Sequence, residues 1–238
     1  MLKTINCLLL FFSFLLPGQA QSFNTDSLLA ELLKAKEDTN KVTLLRNIGV
    51  SLAHKDPQQA ISYWKHGVEL SKKLKYDIGL ARSYINIGTG FSFLGKFDSS
   101  VIYNDTAIFY AHKIKDPNRL ALIYLNQGDS YRNLQDFRKA LLYCDTALTY
   151  AEKTGSTDRL ARINDIIGDI YASQKQFTSS ILYLNKALDL YKKDEKIKLK
   201  KGTRVFETTI KGASETGQLI TQHSIEERFE FGEVEWVL

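Results

Sequence analysis

The chain has 238 residues, of which 44% are hydrophobic, 25% are charged and 3 are prolines. This composition excludes a disordered polymer and leaves room for one or two folded domains. The net charge of +5 comes from 32 basic and 27 acidic residues interspersed along the chain, so we expect no nucleic-acid-binding stripe.

The first residues have the pattern of an export signal. Lys3 precedes an apolar run from Ile5 to Leu16, and a small-residue exit ends at Ala20. A transmembrane anchor is the alternative, but a helix that crosses a bilayer needs about 20 apolar residues, and this run is shorter. We therefore predict a signal peptide over residues 1–20 and a periplasmic or secreted product with no stable membrane span after cleavage.

The next segment has the periodicity of an amphipathic helix. Residues 24–40, NTDSLLAELLKAKEDTN, offer Thr25 or Asp26 as the N-cap. The end of a repeat array needs a cover for its apolar face. We expect this helix to cover the first of the repeats that follow.

Residues 41–194 contain an internal repeat with a period of 40 residues. Six rows of residues keep their size and stay in register, which indicates a repeated structural unit. The rows are Leu80, Leu120, Leu160; Gly88, Gly128, Gly168; Phe97, Phe137, Phe177; Tyr63, Tyr103, Tyr143, Tyr183; Ala60, Ser100, Ala140, Ser180; and Gly67, Ala107, Ala147, Ala187.

Spacings of three and four within each unit predict two helices joined by a tight turn. The units span about 41–79, 80–119, 120–159 and 160–194. Glycine inside a helix costs roughly 1 kcal/mol relative to alanine. Its return in three units predicts that the paired helix approaches closely at that point.

The repeat ends near Asp194, and residues 195–238 have no counterpart in it. Alternating stretches such as Glu233-Val234-Glu235-Trp236 are more typical of strands than of helices. Two explanations stay open: a C-terminal cap or hairpin, strand-forming or disordered, and a chain whose reading frame was lost.

No catalytic motif is found along the chain. Its four histidines lack metal-ligand spacing, and no phosphate-binding loop or nucleophile elbow occurs. Cys144 is the one cysteine left after the predicted cleavage, so no internal disulfide is expected. Asp165 and Asp169, four residues apart, could serve a cation or acid/base chemistry, but a solvated helix face is favoured. We predict a non-enzyme with no metal and no cofactor.

The third unit carries a specific pattern of small and aromatic residues, Tyr124-x3-Gly128-x2-Tyr131 followed by Asp136-Phe137-x2-Ala140 and Ala147. This pattern resembles the tetratricopeptide repeat family, over four units from about Val42 to Lys193. The period is longer than the family's roughly 34 residues, and the proline that usually ends the second helix is missing. The resemblance implies an all-α solenoid of helical hairpins.

In that family the first helices of the hairpins line a concave surface that binds peptides or proteins. The resemblance therefore implies a binding scaffold with a protein or peptide partner. It places on the inner face Arg46, Asn47, Arg82, Asn86, Asn126, Asp129, Arg132, Arg162, Asp165 and Asp169.

Three of these residues form a row. Asn47, Asn86 and Asn126 each stand two residues before a glycine, which resembles the asparagine ladders that grip a peptide main chain in some family members. Ile166 breaks the row in the fourth unit. Val50 and Leu122 stand where carboxylate-clamping members need polar groups, so we do not expect that sub-function.

Two functional hypotheses follow from the resemblance. The first is an exported, non-catalytic scaffold that binds a peptide or protein on its concave face. The second is the sensor region of a bacterial membrane receptor with a histidine kinase or DNA-binding output, truncated in this chain. Self-association through the open end of the solenoid stays possible under both.

Overall fold

The computed structural model describes residues 25–192, 196–201, 204–213, 219–222, 226–229 and 235–236. The predicted signal peptide, residues 1–20, lies outside the described residues. So do several stretches of the predicted tail. Within the described part of the chain, no helix is both long enough and apolar enough to span a membrane.

Up to residue 192 the described chain is helical. The helices are α1 (Thr25–Leu32), α2 (Thr39–Leu52), α3 (Pro57–Lys73), α4 (Asp77–Phe93), α5 (Phe97–Lys113), α6 (Pro117–Asn133), α7 (Phe137–Thr154), α8 (Thr157–Ser173) and α9 (Phe177–Lys192). They pair as hairpins α2/α3, α4/α5, α6/α7 and α8/α9. The predicted all-α array of four hairpins is confirmed.

The first helices of the hairpins lie side by side. Helix α2 contacts α4, α4 contacts α6, and α6 contacts α8. We call the surface formed by these four helices the first-helix face. Helices α4, α6 and α8 begin at residues 77, 117 and 157, slightly before the predicted unit starts at 80, 120 and 160.

The turns between helices share one backbone conformation. A residue with φ between 52° and 67° follows each helix from α3 to α8, which lets the last helical turn close in a left-handed cap. These residues recur every 20 positions: Lys75, Gly95, Lys115, Gln135, Gly155 and Lys175. The 40-residue period therefore divides into two equal halves, each a helix and its turn.

The glycines at 88, 128 and 168 let the two helices of a hairpin pack closely against each other. A Cβ on Gly128 would lie 2.7 Å from Cys144 Sγ and 3.3 Å from the Ala140 carbonyl oxygen, both on the paired helix α7. Gly168 meets Leu184 of α9 in the same way, at 2.7 Å. The predicted close approach of the paired helix at these glycines is confirmed.

Stacked aromatic rings join the two helices of the third hairpin. Tyr124 of α6 stacks on Tyr143 and Tyr150 of α7, with ring centroids 6.1 and 5.7 Å apart. Tyr131 stacks on Tyr143 at 5.3 Å. The same clusters take in residues of α8, so the apolar core runs along the array from one hairpin to the next.

The N-terminal helix is shorter than predicted. Helix α1 ends at Leu32 instead of reaching Asn40, and it has no buried residue of its own. Asp38 accepts hydrogen bonds from the backbone nitrogens of Asn40 and Lys41 and so caps α2. The last residues of the predicted segment therefore belong to α2. Leu32 packs against the first hairpin beside Val42 and Leu45.

Strands follow the helical array. They are β1 (Lys196–Lys201), β2 (Arg204–Ala213), β3 (Leu219–Gln222), β4 (Glu226–Phe229) and β5 (Glu235–Trp236). They form an antiparallel sheet in the order β4-β3-β2-β1-β5, with an irregularity in β2 between Ile210 and Gly212. Strand β2 contacts helix α9, so the sheet adjoins the last hairpin.

Candidate functional site

The first-helix face carries an open pocket of about 380 Å³. Four of the nine described residues that line it are arginines, one on each first helix: Arg46, Arg82, Arg119 and Arg159. We call these four the arginine pocket. Asn86 lines it as well, and Ile85 and Leu122 supply apolar surface between the charges.

Two of the arginines lie at points that neighbouring side chains hold in place. Trp64 Nε1 of α3 donates a hydrogen bond of 3.1 Å to the Arg46 carbonyl oxygen, which fixes the backbone of α2 at this point. Asp116 is the N-cap of α6, accepts from the Arg119 backbone nitrogen at 3.0 Å, and pairs with the Arg119 guanidinium. The fold therefore fixes the backbone at Arg46 and the guanidinium of Arg119 before any ligand arrives.

The arginine pocket is electrostatically unfavourable in the free protein. Burial is the main cause that lowers the pKa of Arg46, and the charge of Arg82 lowers it further. Burial likewise lowers the pKa of Arg119, with Arg82 and Arg46 acting in the same direction and Tyr76 opposing them. Arg46 and Arg119 are thus partly buried cations that lie near another positive charge.

The three asparagines of the predicted row have different surroundings. Asn47 Oδ1 accepts from Arg46 Nη1 at 3.0 Å, and Asn126 Nδ2 donates to Thr89 Oγ1 of the neighbouring hairpin at 3.4 Å. Asn86 Nδ2 is buried and has no acceptor among the described residues. Asn86 is therefore the member of the row whose amide has a hydrogen bond still to make.

The other predicted residues form a second group on α6 and α8, which we call the aspartate cluster: Asp129, Asp165 and Asp169, with Arg132 and Arg162. Arg132 Nη2 lies 2.7 Å from Asp129 Oδ1, and Arg132 Nη1 lies 3.8 Å from Asp169 Oδ2. Within the aspartate cluster, Arg132 therefore pairs closely with Asp129 and at longer range with Asp169. Burial, and then the charge of Asp169, raise the pKa of Asp165, while Arg132 and Arg162 oppose the rise.

The sequence analysis missed Arg119 and Arg159. A signal was available, because they stand 40 residues apart, in the first turn of α6 and of α8, and one helical turn before the positions of Leu122 and Arg162. In the second hairpin the same position is Gly79. With only two of the units carrying the arginine, it did not stand out as a row.

Other chemistry is not supported in the described region. Within it, no three His, Cys, Asp or Glu side chains are close enough together to hold a metal ion. Cys144 is fully buried, and burial raises the pKa of its thiol to about 12. A thiol with this pKa is a packing residue rather than a nucleophile at neutral pH.

Repeated helical hairpins with their first helices on one face define a helical-repeat solenoid. Residues 119–193 match the family model described as tetratricopeptide repeat. This part of the chain is therefore similar to the tetratricopeptide repeat family, and the described helical array has a tetratricopeptide-repeat-like fold. A search of curated proteins found no significant match.

Solved structures of repeat proteins are similar to the array. A signal-transduction ATPase with a tetratricopeptide repeat sensor from Pyrococcus horikoshii aligns with a TM-score of 0.63 and 17% identity, over 72% of this chain and 27% of that one. Aspartyl phosphate phosphatase F from Bacillus subtilis gives 0.62 and 18%, over 68% and 43%. A putative kinesin light chain with TPR-like repeats from Podosopora anserina gives 0.54 and 14%, over 70% and 85%.

Proposed function

We propose that this protein is an exported, non-catalytic scaffold that binds a peptide or an extended segment of a protein on its first-helix face. A tetratricopeptide repeat scaffold is consistent with protein–protein interaction. Export rests on the sequence pattern of residues 1–20. The absence of a catalytic role rests on the missing motifs and on the ion pairs that Arg132 makes with Asp129 and Asp169.

The observation that carries the proposal is the buried amide of Asn86 beside an open pocket. Its Nδ2 has no acceptor in the described part of the chain, and the pocket beside it is lined from all four first helices. A buried donor without a partner costs free energy that a ligand's carbonyl oxygen would recover. An extended peptide offers such oxygens along its whole length.

Selection from a random peptide library on the purified, immobilised chain tests this proposal. We expect specific peptides to be retained and the double substitution Asn86→Ala with Asn126→Ala to weaken their binding about tenfold, since hydrogen bonds to the main chain are lost. The melting temperature should change little, because neither amide lies in the apolar core.

Asn185→Ala is the matched control, because it makes the same chemical change on an exposed position of α9. It should bind the selected peptides as the unaltered chain does. Equal binding by the double variant and the control would sink the proposal, and so would a library that yields no specific peptide.

One observation favours a second candidate, a sensor region of a membrane signalling receptor. The array is similar in fold to 27% of a Pyrococcus horikoshii signal-transduction ATPase that has a tetratricopeptide repeat sensor. Sequencing the gene beyond the codon for Lys192 and translating every frame separates the two candidates. A further hairpin, an apolar span of about 20 residues and an output domain would favour the sensor, and unrelated sequence would favour the scaffold.

A further inference from the structure

The arginine pocket lacks the counter-charges that its four guanidinium groups require. Of the described residues lining it, Asp116 is the one acid, and it is already engaged as the cap of α6 and the partner of Arg119. Among the ion pairs of the described residues, none includes Arg46, Arg82 or Arg159. Arg46, Arg82 and Arg159 therefore have no carboxylate at ion-pair distance among the described residues.

The positions of two arginines oppose the helix dipole. Arg119 and Arg159 are each the third residue of their helices, α6 and α8. The first turn of a helix carries partial positive charge, so it favours anions and disfavours cations. A cation there raises the positive potential of the pocket further, which disfavours the free protein and favours a bound anion.

Two buried donors on the pocket's residues have no acceptor in the described region: Arg159 Nε and Asn86 Nδ2. Arg159 uses another of its nitrogens, Nη1, to bond Ser156 Oγ at 3.0 Å, which holds the side chain in place. Unpaired buried donors beside uncompensated cations call for a ligand with several negatively charged oxygens.

The apolar part of the pocket narrows the class of ligand. Ile85 and Leu122 line it between the arginines, and the volume of about 380 Å³ exceeds what one inorganic anion fills. A glutamate side chain places methylene groups against such surface and its carboxylate against guanidinium groups.

The geometry points to an acidic peptide segment as the ligand of the first-helix face, with its carboxylates bound by Arg46, Arg82, Arg119 and Arg159. The inference rests on the proposed function, since it names the chemistry of the peptide that the scaffold binds. It also predicts how the peptide is placed on the face. The acidic part of the segment lies over the arginine pocket and away from the aspartate cluster.

The test uses a fluorescein-labelled oligoglutamate peptide, with oligoglutamine of the same length as the neutral comparison, and measures binding by anisotropy. We expect the full chain to bind oligoglutamate, to bind oligoglutamine at least about tenfold more weakly, and to lose affinity as salt rises. Arg82→Gln with Arg119→Gln should weaken oligoglutamate binding about tenfold or more for each arginine removed.

Arg138→Gln is the matched control, because it removes one exposed arginine from α7, outside the first-helix face. It should leave binding unchanged. Circular dichroism melts of all variants show whether each is folded. Equal binding of oligoglutamate by the double variant and by the control overturns the inference, as does inorganic phosphate that binds as tightly as oligoglutamate and displaces it.

The outcome of the peptide-library selection tells failure of this inference apart from failure of the proposed function. Retained peptides enriched in glutamate and aspartate support both. Retained peptides with no such enrichment, blocked by Asn86→Ala but indifferent to Arg82→Gln, overturn the arginine assignment and leave the scaffold intact. No retained peptide overturns both.

Discussion

Because Gly128 has no side chain, helices α6 and α7 can approach each other closely at this residue. We predict that Gly128→Ala destabilises the protein by about 1–2 kcal/mol. The clash of the new methyl group with Cys144 Sγ and the Ala140 carbonyl oxygen costs about 1–3 kcal/mol, and better helix propensity returns at most about 1 kcal/mol. Urea denaturation measures the difference.

Removal of the sulfur should relieve part of this clash. In a Cys144→Ala background, Gly128→Ala should cost about 1 kcal/mol less than in the unaltered chain, because residues in direct contact couple. The backbone contact with Ala140 remains, so relief is partial. A cost that is the same in both backgrounds would show that the two side chains do not meet.

The capping of individual helices gives a prediction at the scale of the element. Asp56 and Asp136 cap α3 and α7 with side-chain hydrogen bonds to Gln59 N and Lys139 N, whereas Lys96, the equivalent residue before α5, makes none. We predict that Lys96→Asp stabilises the protein by about 1 kcal/mol. Thermal melts check this prediction, with Lys96→Ala as the control that removes the lysine without adding a cap.

The elements that repeat were predictable in detail, whereas the boundaries of those that occur once were not. The row of glycines predicted the close contact with the paired helix, because each repeat has the same steric requirement. The end of α1 was missed because the cap at Asp38 lies within a polar stretch where any of several residues could begin a helix. The capping hydrogen bonds of one side chain decide that boundary, and no other copy exists for comparison.

The residues of the candidate site were predicted only in part. Arg46, Arg82 and Asn86 were predicted for the inner face, and all three line the pocket. The grouping itself was not visible, because it joins side chains from four helices that are far apart in the chain. Periodicity shows which face of a helix a residue occupies, but charge clustering between helices depends on their lateral packing.

At the scale of the whole molecule, contacts within each hairpin and between neighbouring hairpins hold the array together. In such a solenoid the interior hairpins are supported on two sides and the ends on one. Hydrogen–deuterium exchange should therefore be slowest in α4, α5, α6 and α7, and fastest among the described helices in α1, which has no buried residue. Uniform exchange from α2 to α9 would instead indicate a single cooperative unit.

The left-handed turn residues recur every 20 positions, from Lys75 to Lys175. Each helix with its turn therefore occupies the same length of chain. A recombination event that duplicated the coding segment for residues 116–155, which holds α6 and α7, would insert one hairpin, and every later residue would keep its structural role. The span of ligand that the face can grip is thus open to evolutionary change in steps of one hairpin, without redesign of the units on either side.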